Sequence, residues 1–136
     1  MLISSLVLAA ATITLDPKIQ STLTTLVPEA RVVEQDGDEY ELETPRNTRV
    51  EIKLDRAGVL DEASGDAAEN GDVLVPGDGR MTLTDAVAAL KKAGKAPTGD
   101  WSLEKSLLKG WVYEFEGREN GKEIDYKVSA TDGKLL

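Results

Sequence analysis

Between Trp111 and Leu135 the chain reads WVYEFEGRENGKEIDYKVSATDGKL, a stretch that leaves little choice of fold. Trp111, Tyr113 and Phe115 alternate with Val112, Glu114 and Glu116. A period of two puts the aromatics on one face of a strand and the glutamates on the other. Asn120-Gly121 then supplies a short-range hairpin signal. The return strand repeats the alternation, with Ile124, Tyr126 and Val128 on one face and Asp125 and Lys127 on the other. Thr131-Asp132-Gly133-Lys134 is a second turn.

The same pattern occurs earlier. Tyr40-Glu41-Leu42-Glu43 resembles Tyr113-Glu114-Phe115-Glu116, and Val50 to Leu54 resembles Ile124 to Val128. The turn from Asp55 to Leu60 parallels Ser129 to Leu135, one residue shorter. The expectation is an α+β protein of two tandem units, each a helix on a small antiparallel sheet. Each unit alone would hold roughly 50–60 residues, a size whose core is marginal by itself. The two copies are therefore expected to pack together.

Composition removes whole classes of chemistry. The 136 residues contain no histidine and no cysteine. Imidazole bases, imidazole-dependent triads, thiolate nucleophiles and His/Cys zinc sites are excluded. The net charge of −9 disfavours nucleic acid and anionic membranes, both of which attract basic surfaces. No Gly-rich phosphate loop is present, since Gly77-Asp78-Gly79 lacks the lysine and the rest of the fingerprint. Most of the carboxylates fall on the polar phase of strands or in turns, so they are read as solvated rather than catalytic. No catalytic residue and no cofactor is expected.

Taken in order, residues 1–11 (MLISSLVLAAA) are apolar, short and end in small residues. They are read as a signal-peptide remnant, although no Lys or Arg precedes the apolar run. The alternative is a buried N-terminal strand or helix. The run is too short to span a bilayer as a helix, so no stable membrane span is expected. Leu15 to Val27 is a helix, with Asp16 as cap, Pro17 at the first position and Ile19, Leu23 and Leu26 on one face. Strands are expected at 31–35, 40–43 and 49–54. The second unit begins at a capping-box-like Thr82-Leu83-Thr84-Asp85 and runs as a helix to Ala93, closed by Gly94. Trp101 to Leu108 is its first strand region.

Residues 61–79 stand apart, with six acids, no basic residue and four glycines. Residues 1–60 carry −4 and residues 80–136 carry +1, so much of the acidic excess sits in this connector. A solvated linker over 63–80 is the preferred reading. A calcium loop is the sharper one, but the EF-hand register fails from both Asp61 and Asp66. A brief strand at Val73-Leu74-Val75 is compatible with either.

A helix followed by three strands, with the ending Lys127-Val128-Ser129-Ala130-Thr131-Asp132-Gly133-Lys134-Leu135, resembles the PepSY family over residues 82–136. Residues 15–62 resemble it more loosely, departing at Leu54-Asp55-Arg56-Ala57-Gly58. The domain division expected is 1–11, 15–62, 63–80 and 81–136. The resemblance implies a non-enzymatic module of exported bacterial proteins and of peptidase propeptides, periplasmic or secreted. Its implied partner is a protein or peptide, an exported peptidase among the candidates, held and restrained. The alternative is a periplasmic or cell-surface sensor or ligand-binding module unrelated to peptidases. Unpaired sheet edges in each three-stranded unit would offer strand addition to an extended peptide. Trp101, beside Gly99-Asp100 at a strand start, is the residue the sequence offers as a surface contact.

Overall fold

The two α-helices among the described residues start where their caps are. Asp16 Oδ1 accepts a hydrogen bond from Lys18 N at 2.8 Å, Pro17 fills the first position, and α1 spans Pro17–Leu26. Thr82 Oγ1 accepts from Asp85 N at 3.1 Å, and α2 spans Leu83–Lys92 with Asp85 in its first turn and Lys91 and Lys92 in its last. Gly94 follows at φ 82°, a conformation that favours glycine and lets its amide close on Lys91 O. The computed structural model describes residues 13–70, 74, 76, 77 and 79–136. The expected export signal at 1–11 lies outside the described residues.

The described residues form seven strands: β1 Arg31–Asp36, β2 Glu39–Glu43, β3 Arg49–Leu54, β4 Leu60–Gly65, β5 Trp101–Ser106, β6 Gly110–Glu119 and β7 Lys122–Ser129. They form one antiparallel sheet in chain order, so the class is α+β. The Asn120-Gly121 turn is present, with both residues at positive φ, as a two-residue hairpin between β6 and β7 requires.

Three details differ from the expectation. The first half holds four strands rather than three, because Leu60–Gly65 of the acidic stretch pairs with β3. Its burial pattern has only Leu60 and Ala63 inside, too sparse an alternation to announce a strand. The same strand then pairs with β5 from Glu62↔Glu104 to Gly65↔Trp101, so the sheet is continuous across both halves. Finally, β5 ends at Ser106 and Leu107-Leu108 form the hairpin tip instead.

Both of these helices, α1 and α2, contribute to one core against one face of the sheet. Leu23, Leu26 and Val27 of the first helical segment and Leu83, Ala86, Val87 and Leu90 of α2 are buried with Leu42, Ile52, Leu103, Tyr113, Phe115 and Val128. Tyr113 and Tyr126 lie on adjacent strands in that core, as their phase predicts. Ile124 shares the phase but stays 38% exposed, since it faces Gly117 near the end of the hairpin. Gly117 is needed there: a Cβ would enter the Tyr126 ring and stand 3.1 Å from Ala96 O. Burial pushes the Tyr113 phenol well above its ordinary range, and its hydroxyl donates to Met81 O at 2.9 Å.

Candidate functional site

The strand registers decide what the second face of the sheet carries. Every strand sends its alternate residues there, and neither described α-helix packs on them. Across the middle run Glu34, Glu41, Glu51, Ser64, Ser102, Glu114 and Lys127, each opposite the next. A second row runs Asp36, Glu39, Lys53, Glu62, Glu104, Val112 and Ser129. Arg31, Glu43 and Arg49 lie beyond one end of the first row, and Glu116-Asp125 and Arg118-Glu123 beyond the other. The face thus gathers twelve acids and five basic residues, a net −7 of the chain's −9.

The charges on this face do not cancel locally. Arg49 pairs with Glu41 at 2.8 Å and Glu43 at 3.4 Å, and Arg31 with Glu43 at 2.6 Å. These contacts hold the Glu43 carboxyl below its ordinary range, chiefly through the Arg31 hydrogen bond. Elsewhere like charges stand opposite one another. Glu62 faces Glu104 at the seam between the two halves, and sharing a hydrogen bond with Glu104 raises its pKa. Glu116 is raised as well, first by the charge of Glu123 and then by burial and Asp100. Like charges directly opposite in a sheet are unfavourable. The face therefore carries repulsion that a cationic surface would relieve.

Two shallow grooves mark the face. One of about 360 Å³ lies over β5 to β7, with Ser102, Glu104, Glu114 and Lys127 as polar walls and Val112 and Leu136 as apolar ones. Ser106 and Lys109 at its mouth belong to the β5–β6 hairpin, whose Leu107 and Leu108 are 103% and 94% exposed. The other groove, also about 360 Å³, lies over β3 to β5 between Glu41, Arg49, Ser64 and Asp100.

Trp101 is not a surface contact. It is 4% exposed, lies between Gly65 and Phe115 in register, and has its ring centroid 6.3 Å from that of Tyr113. Gly65 makes the room, since a Cβ there would stand 2.6 Å from the Trp101 indole nitrogen. The edge-binding expectation is narrowed too. Pairing of β4 with β5 closes the two inner edges. On the outer edge of β7, Ser129 N bonds to Lys134 O and Leu136 N to Lys127 O. The outer strand β1 carries a bulge between Val32 and Glu34, a feature that discourages further pairing.

Among the described residues no group of three or more His, Cys, Asp or Glu is placed to hold a metal ion. No described helix is long and apolar enough to cross a membrane. Leu107, Leu108 and the open face were not singled out from sequence. The leucines fell inside an expected strand, and the face exists only once seven registers are combined.

Residues 80–136 match the PepSY family, described as "Peptidase propeptide and YPEB domain". No curated protein matches the chain. A solved structure of a BLIP-like protein from Bacteroides fragilis is similar over 94% of this chain and 87% of its own, at 18% identity and a TM-score of 0.46.

Proposed function

We propose that this chain is a non-catalytic, exported protein-binding module, periplasmic or secreted, that holds and restrains an exported peptidase. The observation that carries the reading is the PepSY domain at residues 80–136, a family whose description couples it to peptidase propeptides. The open, acidic sheet face supports it, because a broad exposed sheet face with a net −7 suits a protein surface better than a small substrate. In this reading the chain is two tandem PepSY-like units over 15–62 and 81–136, joined edge to edge by the β4–β5 pairing. Residues 1–11 act as export signal, and the acidic stretch after β4 is a connector. Binding draws on shape and charge, so no single carboxylate dominates.

A second reading, a sensor or ligand-binding module, draws on the two grooves, which are large enough for a small molecule. The test mixes purified chain with exported peptidases of its host and follows both complex formation and residual activity. Stoichiometric binding with loss of peptidase activity is the expected result. Absence of any complex, with a small molecule instead raising the melting temperature, would establish the second reading.

A further inference from the structure

We infer that the outer edge of β7 from Glu123 to Tyr126 is a strand-addition site for an extended protein segment, with basic residues opposite Asp125 and Glu123 and apolar residues between them. This rests on the protein-binding reading above and names the kind of segment held. The register fixes which backbone groups are on offer. Ser129 N donates to Lys134 O at 2.9 Å and Leu136 N to Lys127 O at 2.8 Å, on either side of the antiparallel bridge Val128↔Leu135. Successive residues of a strand turn their N–H and C=O groups to opposite sides. The odd-numbered residues of β7 therefore face outward, and the even-numbered ones bond to β6. The tail covers only Lys127 to Ser129. β7 is the last strand of the sheet, so Asp125 and Glu123 direct their N–H and C=O groups outward beyond the tail. This edge is also regular. Its pairing with β6 runs without a shift from Glu119↔Lys122 to Val112↔Ser129, whereas the opposite edge of the sheet, β1, is bulged.

The surroundings select the segment. A strand added in the direction of the tail lies opposite Tyr126, Asp125, Ile124 and Glu123 in turn, and its side chains alternate between the two faces. Those opposite Asp125 and Glu123 fall on the open face. Glu116 stands opposite Asp125 there, its carboxyl raised by Glu123 foremost, with Asp100 and Asp125 adding to it. Arg118 is the cation opposite Glu123, and its guanidinium donates to Gly121 O at 3.1 Å in the hairpin turn. A lysine or arginine directly across from an acid is favourable in a sheet, and an acid there is unfavourable. The residues opposite Tyr126 and Ile124 fall on the helix side, where Ile124 is exposed although its phase is that of the core. An apolar residue there would cover it. A second copy of this chain fails as occupant. Two β7 edges joined by two-fold symmetry run antiparallel with odd residues opposite odd. With Lys127 already bonded to Leu136, each such register sets Glu123 or Asp125 against another acid.

The test adds the end-blocked peptide Thr-Val-Lys-Val-Lys-Val-Thr to the isotope-labelled full chain and follows amide hydrogen exchange residue by residue by NMR. At a peptide concentration about ten times its Kd, exchange at Asp125 and Glu123 should slow about tenfold, while Ile124 and Tyr126, already bonded to β6, change little. A peptide N-methylated at both lysines should protect neither amide, because those are the donors the register requires. The same peptide with glutamates in place of the lysines should bind about tenfold more weakly. The double variant Glu123→Lys/Asp125→Lys, altered only at exposed side chains, should reverse that preference at an unchanged melting temperature. Protection that survives N-methylation, or shifts confined to Glu41 and Glu51 on the open face, would overturn strand addition. Protection that grows with protein concentration in the absence of peptide would overturn it in favour of a second copy. No protection by any peptide would overturn it outright. A host peptidase that binds the chain yet leaves both amides exchanging freely would overturn the edge site and leave the protein-binding reading standing. Peptide protection with no peptidase bound would uphold the edge site and remove the peptidase.

Discussion

Phe115→Ala and Glu114→Ala, one residue apart, should differ about tenfold in their cost to stability. Phe115 is 0% exposed, and its ring stacks on Tyr113 with centroids 5.9 Å apart. Trp101 and Tyr126 flank it on the neighbouring strands, and both strands are held by ladder hydrogen bonds. The cavity left by the ring cannot collapse without breaking those ladders. The expected loss is therefore in the upper part of the usual range for Phe→Ala, about 3–5 kcal/mol. Glu114 points to the open face, where its contact with Lys127 is 3.9 Å between exposed groups. Its removal should cost less than about 0.5 kcal/mol. In urea, a loss of about 4 kcal/mol lowers the midpoint by roughly 2 M at an m value of about 2 kcal/mol/M. Equal midpoints for the two variants, or a Phe115→Ala loss under about 1 kcal/mol, would refute the assignment of faces on which the open surface depends.

The other predictions test packing, capping and charge in turn. Gly117→Val should unfold or strongly destabilise the chain, because the added carbons enter the Tyr126 ring, and a thermal melt reads this directly. Thr82→Ala should cost about 1 kcal/mol by removing the acceptor for Asp85 N, checked by urea titration. Glu62 has a folded pKa above its unfolded one, so its contribution to stability is present at low pH and lost as pH rises through the folded value. Glu104→Gln should therefore stabilise at pH 7 and much less near pH 4, and an equal gain at both pH values would contradict the raised pKa of Glu62 beside Glu104. Glu119 is shifted the other way, first by the Tyr126 hydroxyl and then by Lys95, so the contact it makes should weaken as pH falls.

The helices and six of the seven strands were legible because each carried a local signal. Asp16-Pro17, Thr82 and Gly94 marked helix ends, and the Tyr-Glu-Phe-Glu alternation set the phase of β6. What the sequence concealed depends on pairing across distance. Strand β4 has the residues of a polar loop and becomes a strand only because β3 and β5 supply partners on both sides. Trp101 looked exposed beside Gly99 and Asp100, yet it is buried because Gly65 leaves a space opposite it. Gly117 was not singled out from sequence, because the Tyr126 ring that fills its space comes from the neighbouring strand. Most of the carboxylates were read as the polar phase of strands or as turn residues, while Asp36 was read as a turn and Glu62 as connector, and both lie in strands. Their gathering into one face of −7 is a consequence of seven registers in one sheet, which no single strand encodes.

The central claim is that this acidic face holds a protein partner by charge and shape. The most direct measurement is the affinity of the chain for purified exported peptidases of its host, by surface plasmon resonance across a salt series. Binding should be tightest at low salt and fall as the Debye length shortens from about 30 Å at 0.01 M to about 8 Å at 0.15 M, with residual peptidase activity falling in step with occupancy. Binding that ignores salt, or no binding to any exported peptidase of the host, would contradict the account.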